Sequence, residues 1–464
     1  MKLIPKSFAA FCTSAKASSQ LSALSLWLLA LAACSSEAGQ VQLPVEPTLK
    51  GCVATIPPFT YGDDETMGPP TATRTALVVD ESGLTFQWAA GDQIGVVGTY
   101  YNEKEDKYWY QQTNYSMVSG AGTAEATFNG GAFHLVDNTD YLSYYPYDGT
   151  ATCQDNAYRT LDFTGQTQTA NASTAHLGAK DYMLASAQKP ADGYIRFAFD
   201  HCCTPIRFTL TLPAAAAGKT PTTMSVTTVG NTRHFVTSVT HKMNGQSPIY
   251  TSQTYAYTLT LGFSGFDIPA GDAPQLQAWL MIFPVKLSEK TLFVTLTCTD
   301  GTVYTGSVAG QDYQAGKAYR RTFTLSDEID MGGSVLWSVK NEGAASPFDI
   351  GSQHTNAEAD AVSGAWHLPS QNDITAMKTC SLDAGSGLDS QGVERLGYYV
   401  INGANIIFLP FSENANTSYY WLSDKEDDYH KQLYFDTNAF KINIPTTSPT
   451  WTSKFRFVKD KSNN

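Results

Sequence analysis

Cys34 is the first residue at which chemistry can be read. It stands directly behind Leu31-Ala32-Ala33 and directly before Ser35-Ser36-Glu37. Small residues before a cysteine suit a peptidase cut, and the thiol is left as an acceptor at a new N-terminus. A second place is Arg74, in the polar stretch Thr71-Ala72-Thr73-Arg74-Thr75 that follows an acidic, Gly/Pro-rich loop from Gly62 to Pro70. Exposed loops are where proteases cut, so Arg74 and Thr75 form a candidate scissile pair. A third is His201-Cys202-Cys203, which invites a metal reading. Neighbours on a strand point to opposite faces and make no tetrahedral clamp. Buried thiols, or one disulfide between distant strands, are the expectation. Oxygen-rich stretches occur at Pro410-Phe411-Ser412-Glu413-Asn414 and at Asp424-Lys425-Glu426-Asp427-Asp428. Calcium takes six to eight oxygens at one point, and solvated loops are the plainer reading of both. There is no Gly-X-Ser-X-Gly elbow, no His-Glu-X-X-His and no phosphate loop. No enzyme activity, metal or cofactor is expected.

The elements around Cys34 decide its meaning. The run Ala23–Ala30 holds about a dozen apolar residues with its flanks, against about 20 for a spanning helix, and Lys2, Lys6 and Lys16 precede it. This is a secretory signal pattern. Leu-Ala-Ala-Cys resembles the bacterial lipobox. That resemblance implies removal of residues 1–33 and acylation of Cys34, with two or three chains holding the protein at a bilayer at about 0.8 kcal/mol per buried CH₂.

The chain has 464 residues, with 42% hydrophobic and 16% charged, a globular composition. Its 25 Tyr and 23 Phe, with abundant Thr, suit half-buried strands. The formal charge is −13, and loss of the signal leaves 27 basic against 43 acidic residues, near −16. Nucleic acid is excluded as a partner on that balance. Eight cysteines occur without a CxxC, and they fix no pairing.

Residues 34–50 read as a tether. Cys52–Tyr61 reads as a first strand interrupted by Pro57-Pro58. Short strands follow at even spacing over Ala76–Val79, Thr85–Trp88, Gln93–Val97, Tyr108–Gln111, Ala124–Phe128 and Tyr141–Tyr145, the pattern of a β-sandwich. Ile195–Phe199 and Ile206–Leu212 alternate with period two. One domain is expected over 51–205 and a second over 206–326, the latter with a hairpin at Asp300-Gly301. A linker at Asp327–Gly333 introduces a third domain, 327–464. Ser370 is a candidate N-cap for a helix over Gln371–Lys378, with Ile374, Met377 and Leu382 facing the core.

Trp88-Ala89-Ala90-Gly91-Asp92-Gln93-Ile94-Gly95-Val96 and Tyr144-Tyr145-Pro146-Tyr147 resemble the fimbrillin-like proteins of Bacteroidetes. Thr73-Arg74, Asp181-Tyr182-Met183-Leu184-Ala185, Trp279–Pro284 and Ala315-Gly316-Lys317-Ala318-Tyr319 fit in the right order. The resemblance covers about residues 50–326. It implies two tandem transthyretin-like sandwiches that polymerise as pili, with lipidated precursors carried to the outer membrane. It further implies an arginine-specific cut between the first two strands and a donor strand from another pilin filling the opened groove. The physics is strand addition at an unpaired edge.

Val335-Leu336-Trp337-Ser338-Val339-Lys340-Asn341-Glu342-Gly343, Trp366-His367-Leu368-Pro369-Ser370, Leu409-Pro410, Tyr420-Trp421-Leu422-Ser423 and Arg456-Phe457-Val458-Lys459 are similar to the Fibrobacter major paralogous type of C-type-lectin-like domain, with His367 departing from its usual arginine. That similarity implies a small α+β domain whose loops bind a surface ligand, glycan or protein. Trp421, Glu413 and Asn414 are the candidate ligand residues, although tryptophans here also suit a core. The whole then reads as a mainly β protein, a pilus tip adhesin of the cell surface fimbrium. The alternative is a permanently lipid-anchored binding protein that never polymerises.

Overall fold

The computed structural model describes residues 50–62, 77–79, 83–102, 104–130, 141–149, 152–153, 157–187, 192–242, 249–413, 417–436, 440–443 and 452–461. Cys34, Arg74, Thr75 and Asn414 lie outside them. The chain is mainly β, as its alternating patterns require.

Period two sets the strands directly. In Tyr194–Ala198, Ile195 and Phe197 are buried while Arg196 faces out, and in Glu125–Gly130 the buried pair is Ala126 and Phe128. These strands belong to an eight-stranded sheet. Its order is Tyr194–Ala198, Gly51–Thr55, Glu125–Gly130, Lys107–Ser119, Gln93–Asn102, Tyr141–Tyr145, Met183–Ala187 and Asp200–His201. A six-stranded sheet runs Gln275–Ile282, Thr204–Thr211, Lys317–Thr324, Phe59–Tyr61, Gly83–Phe86 and Leu77–Val79. A five-stranded sheet contains the hairpin of Thr291–Cys298 and Val303–Ala309, turned at Gly301 with φ +80°.

Residue 205 falls inside the strand Thr204–Thr211, and strands from either side of it pair with one another. Ala157–Asp162 pairs with Phe235–Lys242, Gln166–Gln168 with Thr258–Phe263, and Phe59–Tyr61 with Lys317–Thr324. The first core accordingly mixes Trp88, Phe128 and Phe197 with Trp279, Met281 and Phe283. One outer edge is closed by side chains. Gln166 pairs its amide with the N–H and carbonyl of Met281 at 2.8 and 2.7 Å, and Gln168 accepts from Trp279 N at 2.9 Å and donates to Gln277 O at 2.8 Å. These amides occupy the ladder positions that a neighbouring strand would take, which blunts the edge.

Residues 328–460 form a terminal unit. Val335–Ser338 pairs antiparallel with Glu328–Ile329 and with Val458–Asp460, so the unit's first and last strands flank it in one sheet. Ser370 caps the helix Gln371–Met377 in a full capping box with Asp373, and Ile374 and Met377 are buried. Leu382 does not join them. It lies in the strand Ser381–Leu388 and is 42% exposed, because the chain leaves the helix before reaching it. Ser370→Ala is expected to lower stability by about 1 kcal/mol, read as a drop in the urea midpoint.

The terminal unit docks on the strands before it partly through an apolar cluster. Val229 and Phe293 meet Phe348, Tyr399, Ile406 and Phe408, with Phe293 edge-on to Phe348 and Tyr399 at 6.0 and 6.1 Å. Glycine is needed where the backbones approach, since a Cβ on Gly385 would meet the carbonyl oxygen of Gly230 at 2.6 Å.

Candidate functional site

The segment 50–61 is the element whose position matters most. Its first part, Gly51–Thr55, is an interior strand, parallel to Tyr194–Ala198 and antiparallel to Glu125–Gly130. Pro57 and Pro58 interrupt the ladder, because proline has no N–H to give. Phe59–Tyr61 then joins the other sheet between Gly83–Phe86 and Lys317–Thr324. One short segment therefore lies in both sheets. Cys52, Ala54, Ile56 and Phe59 point into the first core with at most 5% exposure. Burying Ile56 and Phe59 contributes on the order of 2 kcal/mol each.

Two buried side chains hold this segment by its carbonyls. Trp88 Nε1 donates to Ala54 O at 3.2 Å. His201 Nε2 donates to Pro57 O at 2.8 Å, and its Nδ1 lies 2.7 Å from Asp181 Oδ1. The imidazole stacks on Phe59 with 3.7 Å between centroids. Cys203 donates its thiol proton to the same Asp181 oxygen at 3.3 Å. Burial, the presence of Asp181 and then the thiol's own bond push Cys203 well above the usual thiol range, so it is a protonated core residue and not a nucleophile. Five cysteines among the described residues, Cys52, Cys202, Cys203, Cys298 and Cys380, carry free thiols, four of them buried.

The quoted sequence motifs meet around this segment. Gly91, at φ +91°, lets the chain turn so that Asp92 accepts from Ala89 N at 2.7 Å and from the Tyr145 hydroxyl at 3.1 Å. That bond ties the Trp-Ala-Ala-Gly-Asp turn to the Tyr-Pro-Tyr strand end. The Tyr145 ring in turn stands edge-on to Trp88 at 5.3 Å. Sequence reasoning named Trp88 and Asp181 only as motif members and His201 only as part of a metal-like triplet. Asp181 and His201 are 20 residues apart and meet through the pairing of Met183 with His201, which no local spacing reveals.

In the terminal unit the candidate ligand residues are placed apart. Trp421 is 1% exposed, packs with Ala359, Leu368 and Phe455, and donates its indole N–H to His354 O at 2.7 Å. It is a core residue with no open face. Glu413 is exposed and lies 3.5 Å from Arg395, whose Nε binds Asp389 at 2.7 Å. The acidic stretch after Trp421 is engaged internally. Asp424 accepts from Gln371 N at the start of the helix, Lys425 pairs with Asp360, and Glu426 faces Lys431 at 3.7 Å. No group of three or more His, Cys, Asp or Glu suited to a metal ion occurs among the described residues. A small cleft of about 260 Å³ opens where the sandwich meets the terminal unit, lined in part by Gly230, His234, Lys290 and Asp383.

The family model described as fimbrillin-like matches residues 73–342, more than half of the chain. The chain belongs to the fimbrillin-like family. Membership puts it with fimbrial proteins and their cell-surface setting. The matched span begins beside Arg74, so the strands Gly51–Thr55 and Phe59–Tyr61 precede the fimbrillin-like match, and most of the terminal unit follows it. Among solved structures, the chain is similar to a candidate cell adhesion protein from Bacteroides ovatus (16% identity, 60% of this chain and 96% of that one, TM-score 0.38). A fimbrial protein from the same species aligns over 89% of this chain and all of its own at 10% identity and TM-score 0.26. The tip fimbrial protein Mfa3 from Porphyromonas gingivalis, with a C-terminal truncation, aligns over 50% and 88% at 10% identity and TM-score 0.24. No curated protein matches the chain.

Proposed function

We propose that this chain is a fimbrial subunit made as a lipoprotein anchored at Cys34, cut after Arg74, and assembled by strand exchange. Residues 51–61 leave their groove, and a strand from another subunit fills it. The observation that carries the reading is the interior position of Gly51–Thr55. Its loss leaves a slot flanked on both sides by strands whose backbone groups need partners, and such a slot takes an extended peptide.

We read the subunit as a tip adhesin. Val458–Asp460 is hydrogen-bonded within the terminal unit's own sheet, so that strand is not on offer as a donor. The terminal unit is the adhesive head, a C-type-lectin-like domain that binds a glycan or protein on a surface through its loops. Exposed Glu413, beside Arg395, is on the ligand-facing side, and Asn414 follows it in sequence as a second candidate.

The test is the N-terminus of the protein recovered from its native cells, with Arg74→Ala alongside. A start at Thr75 in the wild type, lost in the variant together with assembly, is the expected result. An acylated Cys34 in both would leave an anchored binding protein that does not polymerise, and would refute strand exchange by this route.

A further inference from the structure

Among the described residues, His201 is the titratable side chain that hydrogen-bonds a carbonyl of residues 51–61 from within the first core. Its ring and the Asp181 carboxyl are 1% and 0% exposed. The groups that face it are the Asp181 carboxylate with the Cys203 thiol on it, the Pro57 carbonyl, and the rings of Phe59 and Phe86 at 3.7 and 6.0 Å. Asp200, beside it in the same strand, adds negative charge.

The proton count follows from the partners. A carbonyl oxygen only accepts, so Nε2 must donate to Pro57. A carboxylate also only accepts, so a proton is needed between Nδ1 and Asp181. The pair therefore holds one proton more than a neutral ring beside a carboxylate. A neutral ring would turn a lone pair on one of the two oxygens. Burial works against the charge, but Asp181 and then the Pro57 carbonyl outweigh it, and His201 sits above the ordinary histidine value. The flat face of this cation lies on Phe59, a cation–π arrangement.

We propose that His201 selects and registers the strand that occupies this groove. An acceptable strand is extended, presents a backbone carbonyl to Nε2, and carries an aromatic ring two residues later against the imidazolium face. Upstream of that carbonyl it needs small side chains at the positions of Cys52 and Ala54 and an aliphatic one at Ile56. A slip of one residue would bring an N–H or an empty face to His201 and leave a buried cation without its acceptor, which is costly. The partner is thus a peptide strand with this spacing. The inference rests on the strand-exchange reading.

The test uses the full chain with a site for a sequence-specific protease placed between Gly62 and Leu77. After cutting, residues up to the cut stay bound and their exchange for a labelled synthetic peptide of residues 50–62 is timed. Exchange is expected to be about ten- to hundredfold faster in His201→Gln than in the wild type at the same pH. A peptide carrying Phe59→Leu should bind about tenfold more weakly to the wild type and show no such penalty on His201→Gln. Asp181→Asn serves as the second variant if His201→Gln fails to fold, and should likewise shrink the penalty of the Phe59→Leu peptide. Equal binding of both peptides to the wild type, or unchanged exchange in His201→Gln, overturns the selection by His201 while leaving strand exchange intact. Failure of the unaltered peptide to replace the cut segment at any pH overturns strand exchange, and the selection with it.

Discussion

Trp88→Ala is expected to lower stability by about 3–5 kcal/mol, seen as a large fall in the urea midpoint. The indole is 1% exposed and wedged among Phe128, Tyr145 and Phe199 at 4.9, 5.3 and 5.9 Å. Its removal leaves a cavity at the centre of the first core and takes the donor from Ala54 O. Trp88→Phe separates the two effects. It keeps most of the apolar contact and loses only the N–H, which costs about 1 kcal/mol for one hydrogen bond to a carbonyl that also lies in the ladder opposite Ala126. Amide hydrogen exchange should then rise at Ala54 and Ile56 in the phenylalanine variant without global unfolding. A loss below about 1 kcal/mol for the alanine variant would contradict the wedge, since voids of this size do not close without cost.

The second large effect has the opposite sign. Lys454 is fully buried, with its ammonium held by Ser412 at 3.0 Å and by Ser418, above the Tyr420 ring at 5.2 Å. No carboxylate pairs with it among the described residues. Burial pulls it down to about 7. A lysine depressed on folding binds fewer protons in the native than in the unfolded state between about pH 7 and its ordinary value near 10.4, so stability rises with pH across that window. Lys454→Met removes the burden of burying an unpaired charge. At pH 6 the variant should be more stable by on the order of 1–4 kcal/mol. The gap should narrow towards pH 10, where the wild-type amine is neutral and the variant still lacks partners for two serine hydroxyls, at about 1 kcal/mol each. Urea midpoints of both proteins at pH 6 and pH 10 check this. A constant difference between them would show that Lys454 does not titrate in the folded state.

Much of the architecture was legible because it is local. Ile195 and Phe197 face inward by alternation alone. Asp300-Gly301 marks its hairpin, and Ser370 marks its helix through the capping box with Asp373. Pro57-Pro58 correctly breaks the first strand in two. What could not be read is where the two pieces go, because pairing of Thr60 with Lys317 spans the whole sandwich region. The same limit hid His201, whose partners Asp181 and Pro57 come from distant positions. It also left Trp421 ambiguous. A tryptophan in a Tyr-Trp-Leu-Ser strand can face a ligand or a core, and only packing on Leu368 and Phe455 decides for the core. Helical spacing would turn Leu382 inward, but the helix ends at Met377, before it.

Strand sharing across residue 205 has a thermodynamic consequence. A domain that melts alone must own the partners of its strands. Here Phe59–Tyr61, Ala157–Asp162 and Gln166–Gln168 find theirs beyond residue 205, and Trp279, Met281 and Phe283 complete the first core from the far side. The dependence is one-sided, because residues 206–325 also build a core of their own, from Ile206 to Leu325. Damage at Trp279, Met281 or Phe283 is therefore felt in the first core, which has no self-sufficient packing without them.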